Sequence, residues 1–281
     1  MGYFDALIDK FVDEPELEQA FGKHIHWGYW ENPSSAKTTL ADFAQAANNL
    51  SQKVIKIAEI TDNMTILDAG CGNGGTISLL NDSFSHLHLT GINIDDAQVC
   101  RAREVIKPLQ DNHIEFITAN ACDLPTFTQS FDRAIALECI FAFPSRETFF
   151  AEVRKNLKPE GKLIVVDFII NPMISQFWLW FERQVLSRLI TDTYGSKATN
   201  KVQFIGIKEY EKIANNTYFK LNKVIDINKN VQPTYPVINK LIMGNFNDLI
   251  TAKGLEYFSL WDLISYQILV FEPIKKITPE E

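Results

Sequence analysis

Residues 65–75 read TILDAGCGNGG, and this stretch decides the fold. Ile66 and Leu67 are apolar residues with high β propensity, so the stretch begins as a short buried strand. Asp68 lies where that strand should end, and four glycines follow before a helix that we expect to begin near Thr76. Glycines carry no Cβ, so a ligand can lie directly on the backbone of this turn. A strand, a glycine turn and a helix in this order predict a loop whose backbone N–H groups face a bound ligand.

Strand and helix patterns alternate around this glycine loop. Six further strands are predicted from short apolar runs at 87–94, 114–118, 131–137, 162–168, 219–227 and 265–271. Helical patterns between strands cover 96–109, 146–157 and 206–215. Strands that alternate with helices form βαβ units, which build a parallel sheet with helices on both faces. The sequence therefore predicts an α/β fold with a doubly wound, seven-stranded and mostly parallel sheet of the Rossmann-like kind.

The segments outside this pattern divide the chain. Residues 24–30 read HIHWGYW, which is too aromatic for a simple linker, and we assign 1–38 to an N-terminal helical lid. The glycine loop belongs to a core of residues 39–171. Residues 172–205 are interpreted as a helical cap insertion. Residues 206–281 complete the core and contain a second helical insertion at about 233–262.

Composition excludes several kinds of function. The net charge of −8 over 281 residues argues against a nucleic-acid binder. The four cysteines form no CxxC pair, so we expect a reduced, cytoplasmic protein without a zinc site or disulfides. The apolar run 163–181 approaches the length of a membrane span, but Asp167 and Pro172 divide it into a strand and a separate helix, so no stable span is expected. His24 and His26 have no evident third ligand, so no metal is expected.

Two residues indicate the ligand of the glycine loop. Asp68 stands two residues before the first glycine, where a carboxylate would repel a pyrophosphate but would suit a cation. A dinucleotide site would need an acid at the end of the second strand for the ribose hydroxyls, and Asn93 stands there instead. A compact ligand with an ammonium group, a sulfonium and one ribose fits better than NAD. We therefore expect S-adenosylmethionine.

The motifs of the chain resemble those of class I S-adenosylmethionine-dependent methyltransferases. The resemblance covers roughly residues 24–170 and rests on GYW, ILDAGCGNGG, GINIDDAQV, NACDLP, SFDRAIALE and LKPEGKLIVVDF. Within this family, the motifs resemble those of the small-molecule enzymes, namely the tocopherol, rebeccamycin-type sugar O-methyl and sterol C-methyltransferases. The resemblance implies S-adenosylmethionine as cofactor, S-adenosylhomocysteine as product and a small molecule as acceptor.

The resemblance also implies a set of cofactor-binding residues. Asp68 would orient the amino group, the loop from Gly70 to Gly72 would lie against the methionine part, and Tyr29 would close over the cofactor. The whole implied set is Tyr29, Asp68, Gly70, Cys71, Gly72, Asn93, Ile94, Gln98, Asn120, Ala121, Cys122 and Leu137. The family often has Asp where Asn120 stands, so the chain departs from the family pattern at the residue that would contact the adenine amino group.

The acceptor site is expected at the carboxyl edge of the sheet, where ligands bind in such folds. A hydroxyl acceptor benefits from a general base, and our first candidate is Asp167, followed by His26. The third candidate for a catalytic role is Glu138, which ends the fourth strand at the carboxyl edge of the sheet. Aromatic residues expected to contact the acceptor are Trp27, Phe141, Phe143 and Trp178.

Several reactions stay open at this point. We favour O-methylation of a medium-sized, largely apolar metabolite or natural product. The first alternative is C-methylation of an isoprenoid-like alkene, whose carbocation aromatic faces would stabilise, with Glu138 or Asp167 taking the final proton. N-methylation is a further alternative. A binding module that keeps the fold and the cofactor but lacks catalysis is the alternative from a different class, and absent cofactor binding would exclude all the methyltransferase readings.

Overall fold

The computed structural model describes residues 15–174, 204–241 and 246–274. Its centre is a seven-stranded sheet. The strands are β1 (Thr65–Ala69), β2 (His88–Asn93), β3 (His113–Thr118), β4 (Phe131–Leu137), β5 (Leu157–Ile170), β6 (Phe219–Asp226) and β7 (Ile264–Pro273). The helices are α1 (Pro15–Phe21), α2 (Leu40–Ile57), α3 (Gly75–Ser83), α4 (Asp96–Val105), α5 (Arg146–Asn156), α6 (Ile207–Asn216), α7 (Asn228–Val231), α8 (Thr234–Leu241) and α9 (Phe246–Leu260).

The strand order is β3-β2-β1-β4-β5-β7-β6. Strands β1 to β5 pair in parallel, whereas β7 runs antiparallel to both of its neighbours, β5 and β6. The chain moves outward from β1 in one direction through β2 and β3, and in the other through β4 and β5. The predicted doubly wound, mostly parallel α/β fold is confirmed. The reversal of direction between β1 and β4 opens a crevice at the carboxyl ends of the strands, where such folds bind ligands.

Alternation along the strands builds two cores. One face, which we call the front face, packs against α2, α3 and α4 and takes Ile66, Ile164, Val166 and Phe168 from the strands. The back face packs against α5 and α6 and takes Leu67, Leu163, Val165 and Ile169. Side chains of adjacent strand residues point to opposite faces, so the two sets interleave along β5.

Two predicted boundaries differ from the structure. The turn predicted at 158–161 is a bulge inside β5, because Phe131 pairs with Leu157 while Arg133 pairs with Lys162. Strand β5 also continues to Ile170, so Asp167 lies inside the strand rather than at its end. The buried apolar run continues past Asp167 through Phe168, Ile169 and Ile170, and this is why the strand does not stop earlier.

The insertions are only partly covered by the described residues. Helices α8 and α9 lie within the predicted second insertion, and the cap insertion begins with a 3-10 turn at Pro172–Ile174. Trp178 and most of that cap insertion lie outside the described residues, as do residues 1–14 of the predicted lid and the C-terminal tail. The division into lid, core and insertions stays a prediction. Among the helices described, none is both long and apolar enough to cross a membrane.

Candidate cofactor and acceptor site

The glycine loop connects β1 to α3 at the crevice. The backbone N–H groups of Gly70 and Cys71 both donate to the carbonyl of Ile92 on β2, at 2.8 and 2.9 Å. Gly70 has a φ of +78°, and a Cβ there would lie 2.7 Å from the Cys139 sulfur. A side chain at this position would therefore be strained twice, by backbone conformation and by contact. The loop stays close to its neighbours only because this residue is glycine.

Asp68 is buried directly below the loop, with 2% of its surface exposed. Its Oδ2 has no hydrogen-bond partner among the described residues. Burial raises the pKa of the carboxyl to about 7, because no neighbouring charge compensates for the lost water. An orphaned carboxylate oxygen in this position fits a ligand ammonium group, which would satisfy the hydrogen bond and stabilise the charge.

A second unpaired polar atom belongs to the loop itself. The amide oxygen of Asn73 is buried without a partner in the part of the chain that the structure describes. Buried polar groups are normally paired, so orphaned ones need an explanation such as an absent ligand. The observed set fits a polar ligand that contacts the glycine loop.

Residues 22–25 cross over the glycine loop. The amide of Asn73 donates to the carbonyl of Gly22 at 3.1 Å. A Cβ on Gly75 would lie 2.4 Å from Nδ1 of His24, and a Cβ on Gly72 would lie 3.6 Å from Ile25. Residues 22–25 therefore cover the loop, and their role as part of a lid stays a prediction.

Asn93 and Gln98 meet beside the loop. The Asn93 amide donates to Oε1 of Gln98 at 2.7 Å, and that oxygen lies 3.7 Å from the Cβ position of Gly72. The backbone of α4 begins here at an N-cap, Asp95, and the neighbouring Ile94 is 51% exposed. The structure thus brings together the predicted ribose-side residues and the glycine loop.

The other predicted cofactor residues are more dispersed. Asn120 uses its side-chain oxygen to accept the N–H of Cys122 at 2.9 Å, which shapes their own turn. Ala121 and Leu137 are buried. Tyr29 is buried as well, and its ring lies 5.1 Å from the Lys53 ammonium on α2. Contact of these residues with the cofactor stays a proposal.

Glu138 directly follows β4 and is partly buried. Its backbone is left-handed, with a φ of +53°, which is uncommon for a residue with a side chain. Such strained residues concentrate at functional sites. Its Oε2 accepts hydrogen bonds from the Trp27 backbone N–H, at 2.8 Å, and from the Tyr266 hydroxyl. Burial raises the pKa of this carboxyl to about 8, although both hydrogen bonds act to lower it.

The base predicted first, Asp167, is placed differently. It lies on the back face of the sheet with no exposed surface. The Arg146 guanidinium contacts its Oδ2 at 3.2 Å, and the Tyr210 hydroxyl donates to the same oxygen. Burial raises the pKa of Asp167, while the Arg146 charge acts to lower it. Oδ2 is used by Arg146 and Tyr210, and Oδ1 accepts the Phe168 N–H, so this geometry argues against the predicted role of Asp167 as the base.

The second predicted base, His26, is also occupied. Its Nδ1 donates to the Trp27 carbonyl at 2.9 Å, so its Nε2 carries no proton in the neutral ring. That Nε2 lies 2.9 Å from the Ser51 hydroxyl and 3.1 Å from Nδ1 of His24. Burial lowers the pKa of His26 to about 3 and that of His24 to about 4. The geometry assigns these rings to fastening the lid to α2, and such a low pKa makes His26 a poor base at neutral pH.

This histidine pair gives a test based on pH. The unfolded chain takes up protons on these rings below pH 6.5, whereas the folded protein does not until about pH 4, so acid lowers the free energy of unfolding. We expect His26→Asn, whose amide can replace Nδ1 as donor to Trp27, to reduce this slope by up to about 1.4 kcal/mol per pH unit. Urea unfolding at several values between pH 6.5 and pH 4 measures it. The wild-type slope over the same range is the reference, and a His26→Asn curve parallel to the wild-type curve would contradict the assignment.

Aromatic side chains gather in front of Glu138. The Trp27 ring contacts Phe168, Tyr235 and Tyr266, with centroids 5.0, 4.3 and 6.0 Å away. Phe141 extends this group through Phe168 and Phe204. Phe143 packs instead on Phe149 of the back core, although its ring edge lies 3.7 Å from the Cβ position of Gly70.

Sequence reasoning missed the strand residues of this aromatic group, above all Tyr266. One signal was available for Phe168, because alternation along β5 places it on the front face. Tyr266 pairs with Phe168 across β5 and β7, and that register is visible only in the structure. No cluster of three or more His, Cys, Asp or Glu side chains suited to a metal ion occurs in residues 15–174, 204–241 and 246–274.

Comparison with known proteins agrees with this geometry. Residues 60–218, more than half of the chain, match the family model of a methyltransferase domain. The methyltransferase GfsG of Streptomyces halstedii is 23% identical over 260 residues, which cover 90% of this chain and 86% of that protein. The 27-O-demethylrifamycin SV methyltransferase of Amycolatopsis mediterranei is 31% identical over 165 residues, 58% of this chain and 57% of that protein.

A solved structure extends the likeness to the whole fold. The geranyl diphosphate C-methyltransferase of Streptomyces coelicolor A3(2), determined with Mg2+, geranyl diphosphate and S-adenosylhomocysteine, has a TM-score of 0.67 at 16% identity and covers 94% of this chain and 98% of its own. The buried Asp68 below a glycine loop, at the crevice of this sheet, fits a class I S-adenosylmethionine-dependent methyltransferase. The chain belongs to this family and acts on small molecules with S-adenosylmethionine as its cofactor.

Proposed function

We propose that the enzyme methylates a hydroxyl group of a small, largely apolar metabolite or natural product, with Glu138 as the general base. The observation that carries the proposal is the position of the Glu138 carboxyl. Glu138 directly follows β4 beside the glycine loop, and the aromatic side chains around Trp27 lie in front of it. Its pKa of about 8 suits a group that must accept a proton near neutral pH. The second relative described above is named for a substrate, 27-O-demethylrifamycin SV, that lacks a methyl group on oxygen, and this name supports the same choice.

S-adenosylmethionine, when bound, supplies a methyl group made electrophilic by its sulfonium. The residues of this chain have three tasks around it. Asp68 pairs with the ammonium group and orients the ligand on the loop. The aromatic residues exclude water and align the acceptor oxygen with the methyl carbon. Glu138 takes the hydroxyl proton as the new carbon–oxygen bond forms and the carbon–sulfur bond breaks, which leaves S-adenosylhomocysteine and a methyl ether.

A second reaction is supported by the aromatic group itself. Methylation of an alkene carbon passes through a carbocation, and aromatic faces such as those of Trp27, Phe141 and Phe168 stabilise cations. Glu138 would then remove a proton from the cation to restore the double bond. One solved structure with this fold is named a geranyl diphosphate C-methyltransferase, and its printed name is compatible with this second reaction.

The reaction is tested in two stages. Calorimetry first measures binding of S-adenosylmethionine to the protein. The protein is then incubated with cofactor carrying a 13C-methyl group and with an extract of small apolar metabolites, and mass spectrometry finds any compound that gains the labelled carbon. The 13C chemical shift of the product separates a methoxy group from a methyl on carbon. A labelled methyl on carbon would overturn the O-methyl proposal in favour of the second reaction.

The base is tested with a conservative variant. We expect Glu138→Gln to keep cofactor binding and to lower kcat by about a hundredfold, since general-base catalysis contributes at least that much in typical enzymes. Glu115→Gln, at an exposed position on β3, serves as the control and should retain full turnover. If Glu138→Gln turns over as fast as the control, the base lies elsewhere.

A further inference from the structure

Glu138 receives two hydrogen bonds from separate parts of the chain on one oxygen. The Tyr266 hydroxyl comes from β7, and the Trp27 N–H comes from residues 24–30, which we call the entry loop. Both donors meet at Oε2. A carboxylate that accepts two hydrogen bonds has a fixed orientation and a stabilised charge.

Tyr266 is suited to hold this position. Only 1% of its surface is exposed, and its ring packs against Phe168 at 4.9 Å and Trp27 at 6.0 Å between centroids. The ring therefore has no room to turn away from Glu138. Burial raises the pKa of its hydroxyl well above the usual value, and the adjacent carboxylate raises it further. The hydroxyl thus remains protonated and always donates.

The entry loop is fastened through consecutive backbone N–H groups to different elements. Gly28 donates to the Thr234 hydroxyl on α8 at 3.1 Å, Tyr29 to the carbonyl of Ala46 on α2 at 2.8 Å, and Trp30 to that of Asn230 on α7 at 3.0 Å. The N–H of Trp27, which comes just before these three, donates to the Glu138 carboxylate at the end of β4. Docking of the loop therefore adds a donor to Glu138, and lifting of the loop removes it.

We propose that Tyr266 is the positioning residue of Glu138, and that Glu138 couples docking of the entry loop to formation of the base. This inference rests on the proposed role of Glu138 and names what controls it. With the loop docked, both donors hold Oε2 of Glu138 in one orientation. With the loop lifted, Tyr266 alone holds that oxygen. The orientation of the base is thereby completed when the site is closed.

Among the residues that the structure describes, three other titratable groups near Glu138 need to be considered. Cys139 follows it in the chain, Tyr235 lies behind the Trp27 ring, and Asp167 lies across the sheet on the back face. Burial raises the pKa of both Cys139 and Tyr235, so these two stay neutral near pH 8. Asp167 is paired with Arg146.

The first test needs no activity. Hydrogen exchange of the Trp27 amide, resolved by NMR, reports how long the entry loop stays docked on Glu138. We expect its protection factor to fall about tenfold in Tyr266→Phe and in Glu138→Ala, because the acceptor of the Trp27 N–H is no longer held in place or is removed. Glu138→Gln keeps an acceptor oxygen and should stay near the wild-type value. Tyr235→Phe is the matched control, since it removes a buried hydroxyl beside Trp27 that does not bond to Glu138.

The second test uses the pH dependence of kcat/KM with the acceptor found above. Removing the Tyr266 hydroxyl takes away a bond that stabilises the carboxylate, so the acid limb in Tyr266→Phe should move to higher pH by about one unit. Tyr235→Phe should leave the limb in place. Thermal unfolding of each variant shows whether a change merely reflects a damaged fold.

The outcomes separate the two claims. Equal Trp27 protection in Tyr266→Phe and Tyr235→Phe would overturn the positioning role, whatever the reaction is. If Glu138→Gln keeps both the wild-type rate and the acid limb, the base proposal fails, while a protection loss in Tyr266→Phe would still support the contact between Tyr266, Glu138 and the loop. A tenfold protection loss together with a shifted acid limb supports both.

Discussion

Replacement of Asp68 by alanine is expected to weaken S-adenosylmethionine binding by several hundredfold or more, measured by calorimetry. Removing one partner of a buried charge pair costs about 3 to 5 kcal/mol, and each 1.4 kcal/mol is tenfold in Kd. In this protein the carboxylate has a free oxygen and no other cation beside it among the described residues, so the ligand ammonium is its expected partner. The variant loses the attraction for that ammonium entirely.

The matched control is Asp68→Asn, which keeps the shape of the side chain and removes its charge. The pH dependence distinguishes charge from shape. Because the pKa of Asp68 in the free protein is about 7, the carboxyl below that pH must lose a proton before it pairs, and Kd should rise up to about tenfold per pH unit as the pH falls. Above about pH 8 the ligand's own amino group loses its proton, which weakens binding again. Asp68→Asn should abolish the rise of Kd below about pH 7 and keep the rise above about pH 8. If the rise below about pH 7 is unchanged in Asp68→Asn, another group causes it.

Replacement of Asp167 by alanine is expected to lower the free energy of unfolding by about 3 to 5 kcal/mol, because it leaves a buried guanidinium without its counter-ion. Arg146 is 7% exposed and Asp167 not at all, so water cannot replace the lost carboxylate without opening the back core. The Tyr210 hydroxyl loses its acceptor in the same step. Urea unfolding, followed by circular dichroism, measures the change.

Two comparisons make this result specific to the buried pair. Lys155→Ala breaks an exposed pair with Glu152 and should cost less than about 1 kcal/mol. The double change Arg146→Met with Asp167→Leu removes both charges and should recover most of the loss, since well-packed apolar residues often replace buried ion pairs without cost. Asp167→Asn should turn over within about twofold of the wild-type rate, as expected of a position that general-base catalysis does not use. A large drop in turnover at normal stability would restore Asp167 as a base candidate.

The glycine loop and its acid were predictable because their chemistry is local. The backbone of residues 70–75 needs glycines wherever it bends, and Asp68 precedes them by a fixed spacing, so a few adjacent residues carry the whole signal. The prediction of Asn93 and Gln98 likewise used one strand end and the helix that follows, and the structure places these two side chains in contact. The β-strand pattern gave the sheet for the same reason, since a period of two is a property of neighbouring residues.

The base was harder to predict because its setting is assembled from distant parts. Asp167 looked like a strand end, but β5 is buried on both faces, and such a strand shows no break in apolar character at the sheet edge. Alternation with Val166 and Phe168 would have placed Asp167 on the back face. Nothing in the sequence pairs Tyr266 with Glu138, which are separated by 128 residues, because the antiparallel position of β7 is a matter of tertiary structure.

The place of β7 between β5 and β6 has a consequence for synthesis of the chain. The ribosome produces β7 after every other strand of the sheet, yet β7 fills an internal position. Until residues 264–273 emerge, β5 and β6 both present unpaired backbone edges, which are sites of aggregation. Residues 65–75 have already been synthesised at that stage, but Tyr266 is still absent. The full setting of Glu138 can therefore exist only after β7 has been synthesised and has paired with β5.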